Sequence, residues 1–380
     1  MALQYTEEQQ EFIRLVREFA ETELEPHVKQ WDKEGSCPKT AFNKAFEIGL
    51  HQLEIPEEYG GLGLSYETTA MVFEELAKYD AGYAITLVST FVALRSVILS
   101  GNKKMAKYFS NIIVPGKFAA FALSEANAGS DAGAVAASAR KKDDEYILNG
   151  EKVFVTNGNL ADVYIAIFRT SDDGNRGLSA FLVERDCPGI TVGKHEEKMG
   201  LRLSDTSTVN FSDVHIPLDH RIGEEGEGFK LALNSLNLSR AFVATLAVGI
   251  MQRALDESVK YATVRQQFNR PIYKFQAVQE MLADIAMQTE AARLMVNNTM
   301  KMMDKGLSVR KEGAMTKAFV SDLAQKATSN AVQIFGGYGV SCDYPVEKLL
   351  RDIKVFQIFE GTNQIQRITI ANELVKTNKH

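Results

Sequence analysis

A change of sequence pattern along the chain is the feature that most limits its possible folds. Residues up to about 113 carry helical patterns, which open with a capping-box signal at Thr6 and Gln9. Short strand-like runs follow, and longer helical patterns return after about residue 228. The order helices, strands, helices predicts an α+β protein.

The strand-like runs are short and are joined by turns rather than by helices. They are residues 118–123, 146–148, 153–156, 163–168, 178–183 and 208–211. Asn149-Gly150 lies between two of these runs and predicts a hairpin turn. Such runs predict an antiparallel sheet or barrel, and no Gly-x-Gly-x-x-Gly pattern precedes a helix, so a Rossmann unit is not expected.

Apolar side chains recur at helical spacing in the last part of the chain. The clearest set, separated by steps of three or four residues, is Val278, Leu282, Ile285, Thr289, Ala292 and Val296. A sustained stripe of this kind is typical of a helix bundle. We therefore predict an N-terminal α-helical domain over residues 1–116, a middle antiparallel β-domain over 117–227 and a C-terminal four-helix bundle over 228–380.

Composition and charge exclude several classes of protein. A hydrophobic fraction of 45% with 24% charged residues is that of an ordinary globular protein. The formal net charge of −6 predicts no binding of nucleic acid. We find no apolar run of the roughly 18–20 residues that a membrane span requires, so no membrane association is expected.

The cysteines and the start of the chain bear on the cellular compartment. Cys37, Cys187 and Cys342 are far apart and without metal-ligand spacing, which predicts free thiols and no metal site. The first residues lack the apolar core of a signal peptide. We expect the bacterial cytoplasm, or the mitochondrial matrix if this is a processed eukaryotic chain.

Glu360 is a candidate general base. It follows Ile358 and Phe359, and burial among such side chains raises the pKa of a carboxyl group into the range that base catalysis needs. The next residue, Gly361, allows a substrate to approach the backbone closely. The alternative is a glutamate at a helix end or turn, exposed on one side, and the residues alone do not separate the two interpretations.

Three further segments have polar or glycine-rich character. Residues 121–131 are a strand running into a polar turn, which either binds a polar ring edge or phosphate or is a plain turn. Residues 333–339 are glycine-rich but lack the lysine of a P-loop. Arg265 and Arg270 flank Phe268, where they either pair with phosphates or lie in water.

Together these four segments resemble the acyl-CoA dehydrogenase family over nearly the whole chain. The most specific element is residues 358–366, Ile-Phe-Glu-Gly-Thr-Asn-Gln-Ile-Gln, which is similar to the catalytic-glutamate motif of the short- and medium-chain members. In members with a displaced base, the glutamate precedes the arginine of the long helix, and here Ser239 precedes Arg240. The resemblance therefore implies Glu360 as the base and no base at Ser239.

The resemblance also implies FAD as cofactor and a set of contact residues. Those expected at the flavin ring are Phe121, Leu123, Ser124, Gly129, Ser130, Phe154, Thr156, Thr362, Asn363 and Gln364. Those expected at the dinucleotide are Arg265, Gln267, Phe268 and Gln276, together with Gln333, Gly336 and Gly337 from a neighbouring subunit. Those expected at the acyl-CoA are Ser130, Asn237, Arg240 and Gly361.

The function implied by the resemblance is dehydrogenation of a short- to medium-chain acyl-CoA to the trans-2-enoyl-CoA. Glu360 would remove the α-proton, and flavin N5 would accept the β-hydride. Electron-transfer flavoprotein would then receive the electrons. The resemblance also implies a homotetramer built of two dimers. One alternative is an enoyl-CoA reductase of the same family that works in reverse. Another is a non-catalytic scaffold that binds CoA or flavin.

The helix expected to line the acyl pocket bears on chain length. Val88, Phe91 and Val92 are bulky and predict a shortened cavity. Arg95 follows on the same helix. If it points inward, an acyl group with an anionic tail is expected, but we predict that it faces solvent.

Overall fold

The computed structural model describes residues 5–377, and the first part of the chain is helical. The helices are α1 Glu7–Phe19, α2 Glu25–Glu34, α3 Asn43–Glu47, α4 Tyr66–Ala77, α5 Ala81–Leu99 and α6 Lys103–Ile113. The predicted capping box is present, because the Thr6 hydroxyl accepts from the Gln9 N–H and the Gln9 side chain accepts from the Thr6 N–H. The helical expectation for this part is confirmed.

An eight-stranded mixed sheet follows. Its strands are β1 Ala119–Ala122, β2 Ser138–Lys142, β3 Glu145–Thr156, β4 Val163–Arg169, β5 Leu178–Glu184, β6 Ile190–His195, β7 Thr206–Pro217 and β8 Arg221–Ile222. Most neighbouring strands are antiparallel, but β1 runs parallel to β4, so the purely antiparallel prediction is wrong there. The intervening hairpin of β2 and β3 supplies the long crossover that a parallel pair requires.

The predicted hairpin at Asn149-Gly150 is also wrong. Strand β3 runs unbroken through this dipeptide and pairs with β7 on both sides of it. Gly150 has a φ of 139° and lies at a β-bulge, where the register against β7 shifts. The turn between β2 and β3 lies at Asp143 instead, with a φ of 51°.

Long helices complete the chain. They are α7 Gly228–Val264, α8 Gln276–Asp304, α9 Arg310–Phe335, α10 Val346–Phe356 and α11 Asn363–Thr377, and a short hairpin of β9 Gln266–Gln267 and β10 Arg270–Pro271 follows α7. Ile285, Thr289, Ala292 and Val296 of the predicted stripe are buried. Helices α7, α8 and α9 pack on one another, and α10 and α11 pack on α9.

Two helices are long and apolar enough to span a membrane, so the expectation that no such run exists is wrong by length and composition. Helix α5 has a mean hydropathy of 1.7, and the most apolar window of α7 has 1.3. The protein itself buries 89% and 72% of these two windows. A helix enclosed by other helices is apolar all round, which explains the composition without a membrane.

Candidate active site

Glu360 lies in the loop between α10 and α11, in a left-handed backbone conformation. The φ angles are 52° at Glu360 and 87° at Gly361. The Gln366 amide donates to the carbonyl oxygens of Glu360 and Gly361 at 3.2 and 2.8 Å. A Cβ atom at Gly361 would lie 2.6 Å from the Gln366 Nε2 atom, so the turn requires glycine there. The turn places a glutamate in a conformation that a free chain rarely adopts.

The two oxygens of the Glu360 carboxylate differ in their surroundings. The Ser239 hydroxyl donates to Oε1 at 2.8 Å, while Oε2 is buried and has no hydrogen-bond partner among the described residues. Burial raises the pKa of Glu360, against the lowering effects of the Ser239 hydrogen bond and of the charges of Arg95, Lys317 and Arg240. A carboxylate with a raised pKa and one free oxygen is suited to accept a proton from a substrate held beside it.

Ser239 carries no base, as the resemblance implies, but it contacts the candidate base directly. The sequence did not predict this contact. The neighbouring Arg240 donates to Asn237 Oδ1 at 2.7 Å, and burial lowers the pKa of Arg240 to about 10. Helix α7 thus supplies both a hydrogen bond and a positive charge that act on Glu360.

Lys317 on α9 is a site residue that the sequence reasoning missed. Its side chain is fully buried, and Nζ donates to the Gly361 carbonyl oxygen at 2.8 Å and to Asn363 Oδ1 at 3.0 Å. Burial lowers the pKa of Lys317 to about 7. A signal was available, because Gly313 and Ser321 lie four residues to either side and mark a helix face of small residues.

Two expected flavin contacts that follow the base have structural roles in this loop. The Asn363 amide is buried and donates to Ser321 and to Asp322, each at 2.8 Å. This side-chain amide therefore holds the loop to α9, and the expected flavin contact of Asn363 stays a prediction. The Thr362 hydroxyl accepts from the Ile365 N–H at 3.2 Å and caps α11. Gln364 is exposed.

The remaining residues expected at the flavin ring lie on β1, the loop that follows it and β3. They are Phe121, Leu123, Ser124, Gly129, Ser130, Phe154 and Thr156. The Val153 N–H donates to the Ser124 carbonyl at 2.9 Å, which joins the loop to β3. Phe154 has a φ of 52° and is 69% exposed at a break in the β3–β7 register.

This surface fits a flavin. Gly129 has open space around it, since no described residue other than its two chain neighbours lies within 4 Å of a Cβ built there. The exposed Phe154 ring on β3 and the open turn in the loop bonded to β3 offer an apolar face and polar backbone groups, which is what an isoalloxazine ring requires.

The residues expected at the dinucleotide gather at a different place, at the ends of α7 and α9. The Arg265 guanidinium lies 5.5 Å from the ring centroid of Tyr338. Phe268 is 87% exposed with a φ of 50°. Gln267, Gln276, Gln333, Gly336 and Gly337 are also exposed. An arginine, an exposed aromatic ring and an open glycine turn fit a diphosphate and its attached groups.

Arg95 does not face solvent, and that expectation is wrong. It is 2% exposed, its Nε donates to Glu54 Oε2 at 2.8 Å, and its Nη2 donates to the other oxygen of Glu54. The guanidinium lies 4.1 Å from the centroid of the Phe242 ring on α7. Helix α5 is enclosed on nearly all sides, so a charged side chain on it has to find partners inside the protein.

A cavity beside this helix is lined by a different set of α5 residues from the one expected. Its volume is about 440 Å³, and α5 contributes Leu94, Arg95, Ile98 and Leu99 to its wall. Val88, Phe91 and Val92 are buried in the core and do not line it. The shortening effect predicted for these three side chains therefore does not apply to this cavity.

Sequence comparison identifies the family to which this arrangement belongs. Models of the acyl-CoA dehydrogenase N-terminal, middle and C-terminal domains match residues 6–116, 120–214 and 226–375. The chain belongs to the acyl-CoA dehydrogenase family. It is an FAD-dependent oxidoreductase with the fold of that family, so the resemblance, the fold class and the cofactor are confirmed.

Individual relatives match over nearly their full lengths. An acyl-CoA dehydrogenase of Bacillus subtilis (strain 168) is 42% identical over 97% of this chain and 98% of its own. The structure of butyryl-CoA dehydrogenase from Megasphaera elsdenii is 40% identical, with a TM-score of 0.96, over 99% of this chain and 100% of its own. A structure described as electron transferring flavoprotein of Acidaminococcus fermentans is 41% identical, with a TM-score of 0.95, over 98% and 99%.

Proposed function

We propose that this acyl-CoA dehydrogenase oxidises the Cα–Cβ bond of short- to medium-chain acyl-CoA thioesters, with Glu360 as the base. The observation that carries the proposal is the Glu360 carboxylate, which is buried with one oxygen bonded to Ser239 and the other free of a partner within residues 5–377. The name of the Megasphaera elsdenii relative, butyryl-CoA dehydrogenase, supports a short acyl chain.

The residues of this chain bind and orient the thioester and move one proton. Ser239 fixes Oε1, which leaves Oε2 to take the α-proton. The Glu360 backbone N–H, in its left-handed turn, is a suitable donor to the thioester carbonyl, where negative charge develops as the proton leaves. The two surfaces described above would hold FAD, which would supply the acceptor for the β-hydride. Exclusion of water by the acyl-CoA makes the carboxylate more basic.

We further propose that electron-transfer flavoprotein accepts the electrons. The Acidaminococcus fermentans structure, whose description concerns an electron transferring flavoprotein, supports this partner class. The compartment stays a prediction: the bacterial cytoplasm, or the mitochondrial matrix for a processed eukaryotic chain.

A homotetramer of two dimers is proposed from the surface near the expected dinucleotide residues. Val264, Phe268 and Val340 are 71%, 87% and 73% exposed, and apolar side chains of this kind are suited to an interface between chains. Light scattering should give the mass of four chains, and the absorbance of the flavin should give one FAD per chain. A colourless monomer that takes up no FAD at micromolar concentration would contradict both statements.

Anaerobic mixing of the FAD-loaded protein with acyl-CoAs of two to sixteen carbons tests the proposed reaction. We expect bleaching of the flavin, formation of trans-2-enoyl-CoA, and the fastest turnover among the shorter chains. A maximum at sixteen carbons contradicts the short-chain proposal. Chemically reduced protein mixed with enoyl-CoA tests the reverse direction, and faster flow in that direction would favour the reductase.

A further inference from the structure

The cavity of about 440 Å³ lies close to the candidate catalytic carboxylate. Leu238 lines the cavity, and the next residue, Ser239, donates to Glu360. One turn further along α7, the Phe242 ring is covered by the guanidinium of Arg95, which lines the same cavity. The cavity and the carboxylate therefore flank one turn of α7.

The ion pair of Arg95 and Glu54 in the cavity wall is not explained by stability. Both side chains are almost completely buried, at 2% and 4% exposed. A buried ion pair can often be replaced by apolar side chains without loss of stability, because removing two charges from water is costly. The rest of the wall offers such surroundings, since Leu64, Leu94, Ile98 and Leu238 also line the cavity.

Arg95 also has a donor group to spare. Glu54 occupies its Nε and Nη2 atoms, while Nη1 is buried and unpaired in the part of the chain that the structure describes. A buried donor without an acceptor is unfavourable, and an apolar ligand would leave it so. Arg95 lines the cavity, so a small rotation of its guanidinium would bring Nη1 within reach of a ligand oxygen there.

The charges around the cavity select the kind of oxygen. Glu54 already balances the charge of Arg95, and Glu57 and Asp304 also line the wall. Asp304 accepts from the backbone N–H groups of Tyr66 and Glu67 at the start of α4, at 2.6 and 3.1 Å. A carboxylate on the ligand would meet three protein carboxylates and one arginine, whereas an uncharged hydroxyl or ketone oxygen needs only the donor.

We propose that this cavity receives the distal end of the acyl group and that Arg95 Nη1 donates there to an uncharged oxygen. The preferred substrates are then acyl-CoA thioesters with a hydroxyl or keto group near the end of the chain. This assignment deepens the proposed function and rests on it.

The test is a comparison of acyl-CoAs that match in length. Anaerobic bleaching of the flavin gives kcat/KM for hexanoyl-, 6-hydroxyhexanoyl-, 5-oxohexanoyl- and adipoyl-CoA, with four- and eight-carbon sets alongside. One of the neutral oxygen-bearing thioesters should exceed its plain counterpart by about tenfold to a hundredfold, the factor that one hydrogen bond to a charged donor supplies. Adipoyl-CoA should react no faster than hexanoyl-CoA.

The double variant E54L/R95M removes the pair together, so that no charge is left unpaired. Loss of the Arg95 charge should also raise the pKa of Glu360, so each substrate is compared only with its plain counterpart in the same variant. That ratio of kcat/KM, oxygen-bearing to plain, should fall to about one. The control is E74L/R293M, which removes a partly buried pair that is joined at 2.8 Å and lies away from this cavity. This variant should keep the preference. Content of FAD establishes that each variant is folded.

The outcomes separate the two proposals. If plain acyl-CoAs are oxidised and no oxygen-bearing thioester is preferred in the parent at any length, the assignment of the cavity is wrong and the proposed function stands. Preference for adipoyl-CoA also overturns it, in favour of an anionic tail. If no acyl-CoA bleaches the flavin, both proposals fail. The parent protein alone decides these outcomes, even if a variant does not fold.

Discussion

At the scale of single residues, the sequence predicted the candidate base but not its surroundings. Glu360 was identifiable because its motif is contiguous in the chain. The Ser239 hydroxyl donates to it, and the charges of Lys317 and Arg95 lower its pKa. These residues lie on three different helices, at distances along the chain that no local pattern spans. Their contribution depends on tertiary packing, which turns a lysine and an arginine that the sequence suggests are solvated into buried cations.

Lys317 gives a prediction about pH dependence. Its positive charge lowers the pKa of Glu360, so removing that charge should raise the pKa and move the acidic limb of the bleaching rate to higher pH. K317Q keeps a donor for the Gly361 carbonyl, while K317M does not. Both variants should shift the limb in this direction, and K317M should also lower the maximum rate because the turn at Glu360 loses a support.

The control for Lys317 is K326M on the same helix, where Lys326 is 59% exposed and pairs with Asp284 at 3.5 Å. Its profile should match the parent. Variants of Lys317 that contain normal FAD and retain the parental pH profile would show that this lysine does not act on Glu360.

At the scale of secondary structure, periodic patterns were reliable and turn signals were not. Helix α8 followed its stripe because the 3.6-residue period reports a buried face directly. The prediction of a hairpin at Asn149-Gly150 failed because an Asn-Gly pair favours a bulge as well as a hairpin turn. Pairing with the distant strand β7 decides which of the two forms. Strand β2, Ser-Ala-Arg-Lys-Lys, is largely exposed and has too few apolar residues to be recognised.

Gly150 gives a prediction about stability. A Cβ atom there would lie 2.4 Å from Ala137 Cβ, and the φ of 139° is unfavourable for alanine. G150A should lower the free energy of unfolding by at least about 1–3 kcal/mol and thus lower Tm. G174A is the control, because it has a φ of 49° but no atom of a described residue within 4 Å of the new Cβ. If the two variants melt together, the close approach at the bulge does not matter.

At the scale of the whole molecule, a buried ion cluster joins the three parts of the chain. Lys348 of α10 donates to Asp80 before α5 and to Asp352, each at 2.5 Å. Asp352 also accepts from the Leu201 N–H at 2.6 Å, which ties in the segment between β6 and β7. These residues are far apart in sequence and carry no shared pattern, so the sequence predicted the order of the parts but not the cluster that joins them.

Removing the lysine of this cluster should destabilise the molecule strongly. K348M leaves two buried carboxylates without their cation, and such a loss typically costs about 3–5 kcal/mol. Burial raises the pKa of Asp80, and without Lys348 that pKa should rise further. When the pKa of a carboxyl group is raised by folding, the protein loses stability as the pH rises through that pKa. The difference in Tm between K348M and the parent should therefore be larger at pH 8 than at pH 5.

The control for the cluster is K104M, which removes an exposed ion pair with Asp219. It should leave Tm unchanged. Equal melting of K348M and the parent at pH 8 would mean that the cluster does not hold the parts together.

The central claim is that Glu360 removes the α-proton, and the anaerobic rate of flavin bleaching in E360Q tests it most directly. The glutamine keeps the volume and accepts from Ser239, so FAD content should not change. Burial raises the pKa of Glu360 in the folded protein, so the parent loses stability as the pH rises through that pKa. The glutamine does not ionise, and Tm of E360Q at neutral pH should therefore not fall below that of the parent. The comparison variant S239A should change the rate only severalfold, since it removes a hydrogen bond and not the base. With the preferred acyl-CoA, E360Q should bleach about 10²–10⁴-fold more slowly than the parent, the usual loss for a positioned general base. A rate within tenfold of the parent, at normal FAD content, would mean that another group removes the proton.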